Sequence, residues 1–516
     1  MTDTTTSTNT NVPSKEFNLW HAYSVCLLVS FIFFLLFGFN SPLYKFNSDP
    51  DYNLFMTMGN GLINGKVPYR DLFDHRGPIV YFIYGFCCLF PTPRLIMLCL
   101  EILSMSLFFF FAYRIAKKFL NNFSSLLTLP VLAFIVFASW NRVTNASCIE
   151  EFCLPILTYF LFCWIEYILD KNQWHWIRSI CLGICFGIIF WSKATILCFV
   201  LPLLLIWFIK NLKQRQFQTT FKSIFFMLIG ILIITTPIII YYGVNHAFDN
   251  LCYVYFYMNI KLMFGYKFEL ISLIKIFNSF IQFNPILTAL LSYGLGRFIF
   301  NNWKKLRVLV ISFLSTFITM LLTHYKNNYY FNILIPYTIL SVIEIFKVIN
   351  SKLQINTYKI RTYFIFFISC VVLVLPISIL PIEITCKRSD YTPLIIADII
   401  KNYELEHQKK ATVFCYKISD LGIYNMCNTT PNNYYFSKYI FEQKQYPDIY
   451  SEYEDSIIKK TSEIVITTRD IWYKENILFE NYIPITGHTK SSSFYYMQNY
   501  SASVYLLTIL VRKGEN

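Results

Sequence analysis

Solidly apolar runs of about twenty residues recur along this chain, separated by short polar stretches. A bilayer core is about 30 Å thick and a helix needs roughly 20 residues to cross it, so each run is a candidate span. Barrel strands would alternate polar and apolar residues, which these runs do not do. The composition agrees: 55% hydrophobic, 19% aromatic and 14% charged residues are more apolar and less charged than a soluble domain. The sequence therefore predicts a polytopic α-helical membrane protein with about 11 transmembrane helices. The spans fall near 21–39, 94–116, 124–140, 152–169, 177–192, 194–210, 224–242, 279–298, 306–323, 329–346 and 362–384. Ile79–Phe90 is too short to cross and is cut off by Pro91 and Pro93, so it reads as a re-entrant or interfacial helix.

The net charge of +14 would suggest nucleic acid in a soluble protein. Here Lys and Arg concentrate in alternate loops, around 114–118, 171–178, 210–222, 297–307 and 347–361. That is an orientation signal, which puts those loops in the cytoplasm, and no nucleic-acid partner is expected. Residues 1–19, rich in Thr, Asn and Ser, read as a disordered cytoplasmic tail. Residues 20–384 form the transmembrane domain, with 41–78 as its first external loop. Beyond 385 the pattern changes to short strand-like runs at 412–418, 463–468 and 503–511 around a helix near 392–404. Residues 385–516 are expected to form a small C-terminal extracytoplasmic α/β domain. The 15 cysteines show no metal-ligand spacing, and most sit inside apolar runs as small hydrophobes.

Against this background the stretch Asn47–Pro78 stands out, with Asp49, Asp51, Asp71, Asp74, His75 and Arg76 between nearly uncharged neighbours. Asp49 and Asp51 follow the first span and so lie at the membrane surface, where a lipid-borne substrate presents its head group. Partial desolvation there raises a carboxylate toward a useful general base. The competing reading is an N-capped interfacial helix beginning near Asp51. Farther on, PYRDLFDHRGP offers guanidinium groups that could hold a phosphate and carboxylates that could recruit a hydrated divalent cation, Mg or Mn. Gly65 and Gly77 let this segment fold back. Lys193, between two apolar runs, is a candidate by its cost in a membrane, with an external turn as the alternative. Glu101 reads as an interhelix structural partner. Glu150 and Glu151 either serve the acceptor, assist a metal, or favour a helix N-terminus.

The run from Gly65 through Lys66, Pro68, Tyr69, Asp71, Asp74, His75, Arg76, Gly77 and Pro78, behind an Asp shortly after the first helix, resembles the GT-C glycosyltransferases. It is most similar to bacterial proteins related to glycosyltransferase family 39 and to the aminoarabinose transferases. NASCIEEFCLP (Asn145, Glu150, Glu151, Pro155), WSKATI (Lys193), the tract Tyr253–Tyr266 and NYYFNILIPY (Asn328–Tyr337) resemble further segments of these proteins. Tyr329 stands where the family often has His, with His324 nearby. The resemblance covers about residues 20–345. It implies transfer of a sugar from a polyprenyl-phosphate carrier to an extracytoplasmic glycan, lipid or protein, in the cell membrane. Asp51 would be the general base, with Asp49 in reserve. Arg76, His75, Arg142 and Lys193 would neutralise the leaving phosphate; Asp71, Asp74, Glu150 and Glu151 would serve the acceptor or a metal. No nucleotide is required, and the sequence has no P-loop or dinucleotide fingerprint. A flippase for lipid-linked sugars and a surface-polysaccharide polymerase or ligase are the alternative readings.

Overall fold

A computed structural model of the chain describes residues 18–47, 49–139, 147–170, 174–265, 270–322, 328–352, 392–419, 421–437, 441, 443–484, 489–491 and 505–512. As the apolar runs require, helices dominate the first part. They are α1 (Leu19–Phe37), α2 (Pro50–Ile63), α3 (Pro78–Cys88), α4 (Pro93–Lys117), α5 (Asn122–Ser139), α6 (Ile149–Leu169), α7 (Trp176–Lys193), α8 (Leu197–Lys213) and α9 (Phe217–Val244). Three of them, α2, α3 and α4, carry proline in the first turn, where its missing N–H leaves no helix bond unmade. Among the described residues, seven helical segments are long and apolar enough to cross a membrane, or eight if one bent pair counts as a span. The expected last span, 362–384, lies outside the described residues.

One of the seven segments, Trp176–Lys213, holds 38 residues. Straight, it would measure about 57 Å, nearly twice the hydrocarbon thickness. A 3-10 turn, Ala194–Ile196, interrupts it, and Trp174 stacks flat on Trp207, with ring centroids 4.4 Å apart and planes at 8°. The start of α7 thus meets the end of α8. The two form a hairpin with Lys193 at its tip, at the junction between the spans expected near 177–192 and 194–210. α9 then runs parallel to α7: Gly183 faces Met227 and Gly230, Gly187 faces Ile234, and Trp191 Nε1 donates to Thr235 Oγ1 at 2.9 Å. Facing glycines let the two backbones approach closely, the usual device for packing helices in lipid.

Burial separates inner from outer helices. In α6, 72% of the apolar core is buried, and in Tyr329–Ile349 78%, against 22% for α9, whose remaining surface is left for lipid. One departure from expectation concerns the span near 279–298. The chain there forms two helical pieces, Leu270–Phe283 and Pro285–Asn301, bent by 100°. Pro285 supplies no N–H and disfavours helical geometry at the residue before it, so Asn284 leaves the helix at φ −125° and ψ 56° and the helix breaks.

The two ends of the bundle differ in charge. At one end Glu166 gathers Arg114, Lys118 and Arg178, and Lys118 also meets Asp170 at 2.5 Å. The opposite end, where α1 finishes and α4 begins, holds the polar stretch. Arg94 at the start of α4 donates to the carbonyls of Ser41 and Tyr44, which closes the turn after α1.

The C-terminal part is a mixed sheet with helices, including Thr392–His407 and Pro447–Ile458. Strands β1 (Val413–Cys415) and β2 (Ile464–Thr468) pair in parallel; β5 (Tyr505–Arg512) lies antiparallel to β2, with β3 (Tyr482–Pro484) and β4 (Thr489–Ser491) also pairing with β5. This unit sits on the polar stretch. Asn425 Nδ2 donates to the Asn53 carbonyl at 3.2 Å, Phe73 N donates to the Tyr434 carbonyl at 3.0 Å, and the Tyr434 hydroxyl donates to the Tyr69 carbonyl at 2.9 Å.

The α7–α9 contact yields the first prediction. A Cβ at Gly183 would run into the Met227 carbonyl oxygen, so Gly183→Leu must push the helices apart. Overpacking of this kind costs about 2 kcal/mol. Thermal unfolding in detergent should show a lowered midpoint for Gly183→Leu, while Gly243→Ala, where a Cβ meets nothing within 4 Å, should unfold like wild type.

Candidate active site

The Asp pair is divided by the start of α2. Asp49 is the N-cap: its Oδ1 accepts from Tyr52 N at 2.9 Å, with Pro50 following in the first turn. An aspartate before a first-turn proline is a favoured start for a helix. This places Asp49 in the interior, 1% exposed, where its Oδ2 has no hydrogen-bond partner. Burial, and then the neighbouring Asp51 charge, push its carboxyl up to about 8. Asp51 lies within the first turn, and its side chain is 21% exposed. Its Oδ1 accepts from Arg76 Nη2 at 2.7 Å and its Oδ2 from the Tyr329 hydroxyl at 3.0 Å. Of the two carboxylates, Asp51 is the one a substrate can reach. Part of the expected loop is therefore a helix, with nine of the fourteen residues of α2 buried.

Between α2 and α3 the chain folds back as its glycines permit. Gly65 takes φ +80°, a conformation that suits glycine. Gly77 N donates to the Ser192 carbonyl at 3.0 Å, and a Cβ there would strike the Trp191 carbonyl oxygen. The loop is thereby bolted to the tip of the α7–α8 hairpin. Asp71 accepts from Val67 N at 2.7 Å and pairs with Arg70 at 2.8 Å, which draws its carboxyl below the usual range. Arg70 Nη1 donates to the Asn245 carbonyl at 2.7 Å. Asp71 thus shapes the turn.

Asp74 is fully buried and accepts from Arg76 Nη1 at 2.9 Å and from the Tyr81 hydroxyl at 2.8 Å. Burial alone would raise its carboxyl; the Arg76 charge, with the Tyr81 hydrogen bond, outweighs burial and holds it well below the usual range. Burial likewise opposes the charge on Arg76, and the Asp74 and Asp51 carboxylates overcome it. Arg76 so bridges two carboxylates, with its guanidinium 5.2 Å from the Phe55 ring centroid. Burial drives His75 down, which leaves a neutral imidazole at neutral pH; its Nδ1 stands 3.4 Å from Asp74 Oδ1 without hydrogen-bond geometry. The His75 carbonyl accepts from Asn259 Nδ2 at 2.7 Å, and its ring lies 5.4 Å from Phe441 of the C-terminal unit.

Across from this cluster Lys193 reaches Glu150 Oε1 at 2.5 Å and rests 3.6 Å from the centroid of the Tyr330 ring. Glu151 accepts instead from Ser147 N at 2.7 Å, inside a buried network in which Asn40 Nδ2 donates to Glu101 Oε1 at 2.9 Å. Glu101, expected as an interhelix partner, instead ties α4 to the turn after α1 and to the residues before α6, through Asn40 and Ser147.

The fold thus brings Asp51, Asp74, His75 and Arg76 together, with Lys193 and Glu150 joined to them through Tyr329 and Tyr330. Asp49 adjoins them from the interior, whereas Asp71 and Glu151 are engaged elsewhere. Arg142 and His324 lie outside the described residues. Among the described residues no three His, Cys, Asp or Glu side chains converge to hold a metal ion. Sequence reasoning missed Tyr81, Tyr330 and Phe441. Tyrosines are too frequent in this chain, at 38, for any one to stand out.

Asp49 gives a pH prediction. An acid whose pKa is higher in the folded state holds its proton more tightly there. Stability therefore falls as pH rises from the unfolded carboxylate range, about 4, toward about 8. Asp49→Asn keeps a capping oxygen and removes the titration. Unfolding midpoints of wild type and variant should differ least near about pH 5 and most near about pH 8, with the variant the more stable.

Residues 75–241 match the family described as dolichyl-phosphate-mannose-protein mannosyltransferase. Among solved structures, ArnT from Cupriavidus metallidurans aligns over 95% of this chain and 97% of its own. Its apo state gives 10% identity and a TM-score of 0.57, and its undecaprenyl-phosphate-bound state 11% and 0.53. An Archaeoglobus fulgidus oligosaccharyltransferase aligns over 87% of this chain and 68% of its own, at 12% identity and a TM-score of 0.47. No characterised protein matches by sequence. Over residues 75–241 the chain is thus similar to the dolichyl-phosphate-mannose-protein mannosyltransferase family, and its fold is that of ArnT.

Proposed function

We propose that the chain moves a sugar from a polyprenyl-phosphate carrier to the hydroxyl of an extracytoplasmic acceptor, with Asp51 as general base. The observation that carries this reading is the partly exposed Asp51 carboxylate beside Arg76, at the end of the bundle opposite the basic cluster around Glu166. The positive-inside rule puts that basic end in the cytoplasm and the active site outside, with about eleven crossings and the C-terminal unit over the site. The undecaprenyl phosphate bound to ArnT, whose fold this chain shares, supports a polyprenyl-linked donor.

In the reaction the acceptor oxygen attacks the anomeric carbon as its proton passes to Asp51. The bond from that carbon to the phosphate oxygen breaks, and polyprenyl phosphate leaves. Arg76 and Lys193 lie close enough to influence one another's charge, and together they offer the cationic surface for the departing phosphate. The neutral His75 completes it as a hydrogen-bonding wall. A single displacement inverts the anomeric centre.

The test is release of polyprenyl phosphate by protein in nanodiscs, given short-chain polyprenyl-phosphate sugars and a panel of glycan, lipid and protein acceptors, with and without EDTA. Asp51→Asn should lower turnover by about 100-fold or more while retaining donor binding. Asp49→Asn should retain most of it. A product of retained configuration would sink the one-step mechanism. Donor crossing between leaflets without bond transfer would return the site to a flippase.

A further inference from the structure

The two oxygens of Asp51 are held by different chemistry. Oδ1 faces the Arg76 guanidinium at 2.7 Å, and Arg76 is itself tied to the buried Asp74 at 2.9 Å. Among the described residues Oδ2 meets a neutral donor, the Tyr329 hydroxyl, at 3.0 Å. An oxygen engaged by a guanidinium is the poorer proton acceptor, since its charge is already compensated. A carboxylate oxygen has two lone-pair sites, so Oδ2 can accept from Tyr329 and still receive a proton at the other. We infer that Oδ2 is the oxygen that takes the acceptor's proton, and that Tyr329 is the positioning residue that aims it. This rests on the assignment of Asp51 as base.

Three further observations favour a fixed role for Tyr329. It lies on a 3-10 stretch, Asn328–Leu334, which leads directly into one of the two most buried membrane helices, so its backbone cannot drift far. Its ring meets that of Tyr330 edge-on, with centroids 4.7 Å apart, and the Tyr330 ring in turn carries the Lys193 ammonium. Two consecutive tyrosines thus divide the work. One hydroxyl orients the base, and the next ring seats a cation offered to the phosphate. The base and the phosphate site are in this way set at a fixed spacing by a single turn of chain, which suits a reaction that joins a hydroxyl to the carbon beside that phosphate.

The pH dependence follows from which form Tyr329 stabilises. A hydrogen bond donated to a carboxylate favours its ionised form, so loss of the hydroxyl weakens the base at the acid end of the rate profile. The groups that face Asp51 are Asp49 on its own segment, Asp74, His75 and Arg76 from the loop, Tyr329 and Tyr330, and Glu150 and Lys193 behind them. Only the Tyr329 hydroxyl is removed in Tyr329→Phe, and the ring packing stays.

In the nanodisc assay Tyr329→Phe should lower kcat by about tenfold, leave the donor KM unchanged, and move the acid limb of the kcat profile upward by about one pH unit. A fluorinated tyrosine at position 329, a stronger donor, should move that limb downward. Loss of packing alone would shift neither limb in this paired fashion. Unchanged kcat and acid limbs in both variants, with Asp51→Asn inactive, would overturn the role of Tyr329. Wild-type turnover by Asp51→Asn would instead overturn the assignment of the base.

Discussion

The charge chain Asp74–Arg76–Asp51 is the interaction on which the candidate active site depends. A lone buried carboxylate is costly, and so is a lone buried guanidinium. Here each is tolerable only because the other is present. Asp74 has no exposure, and its second oxygen is taken by Tyr81, so it is satisfied on both sides. Arg76 inherits a fixed direction from it and spends its remaining edge on Asp51. Removal of Asp74 would leave Arg76 with Asp51 as its one carboxylate among the described residues and without the buried anchor that fixes its direction beside Phe55.

That cluster is stationary because the loop is pinned from three sides. Gly77 lets the backbone lie against the α7–α8 hairpin tip, Asn259 holds the His75 carbonyl, and the C-terminal unit covers Phe73 through Tyr434, Tyr435 and Phe441. The hairpin in turn is held by the glycine contact between α7 and α9. A packing decision deep in the bundle thus sets where Lys193 stands relative to Arg76. The C-terminal unit, which makes a backbone hydrogen bond to the loop at Phe73, belongs to the same mechanical assembly.

Much of this was legible in the sequence because membrane spans and ion clusters leave strong marks. The runs behind α1, α4, α5, α6 and α9 are solidly apolar, and their ends fell within a few residues of the structure, except that α9 begins seven residues earlier than its run. The density of charge at 70–76 identified the loop. What could not be read was pairing. Nothing in the spacing tells that Asp71 answers to Arg70 and Val67 while Asp74 answers to Arg76 and Tyr81, since both lie within reach of several partners. Asn284–Pro285 could have flagged the bend, because proline after a long apolar run is a break as often as a kink. Tyr329 was visible only as a departure from the family pattern, and its hydroxyl acquires meaning through a contact 278 residues away.

Asp49 and Asp51 show how far local backbone geometry can separate like residues. They flank one proline at the membrane surface, and only the family resemblance set Asp51 ahead of Asp49 as the base. The helix that begins at Pro50 makes the first a cap and carries the second onto the face toward Arg76 and Tyr329. Burial then raises Asp49, and the repulsion it feels from Asp51 runs in the same direction, so the inner residue holds its proton more tightly. A carboxylate at the rim can receive an incoming hydroxyl beside its neutral partner; one sealed beneath a helix terminus cannot. The division of labour in the pair therefore follows from where the helix starts, and the helix starts where an aspartate can cap it and a proline can open it.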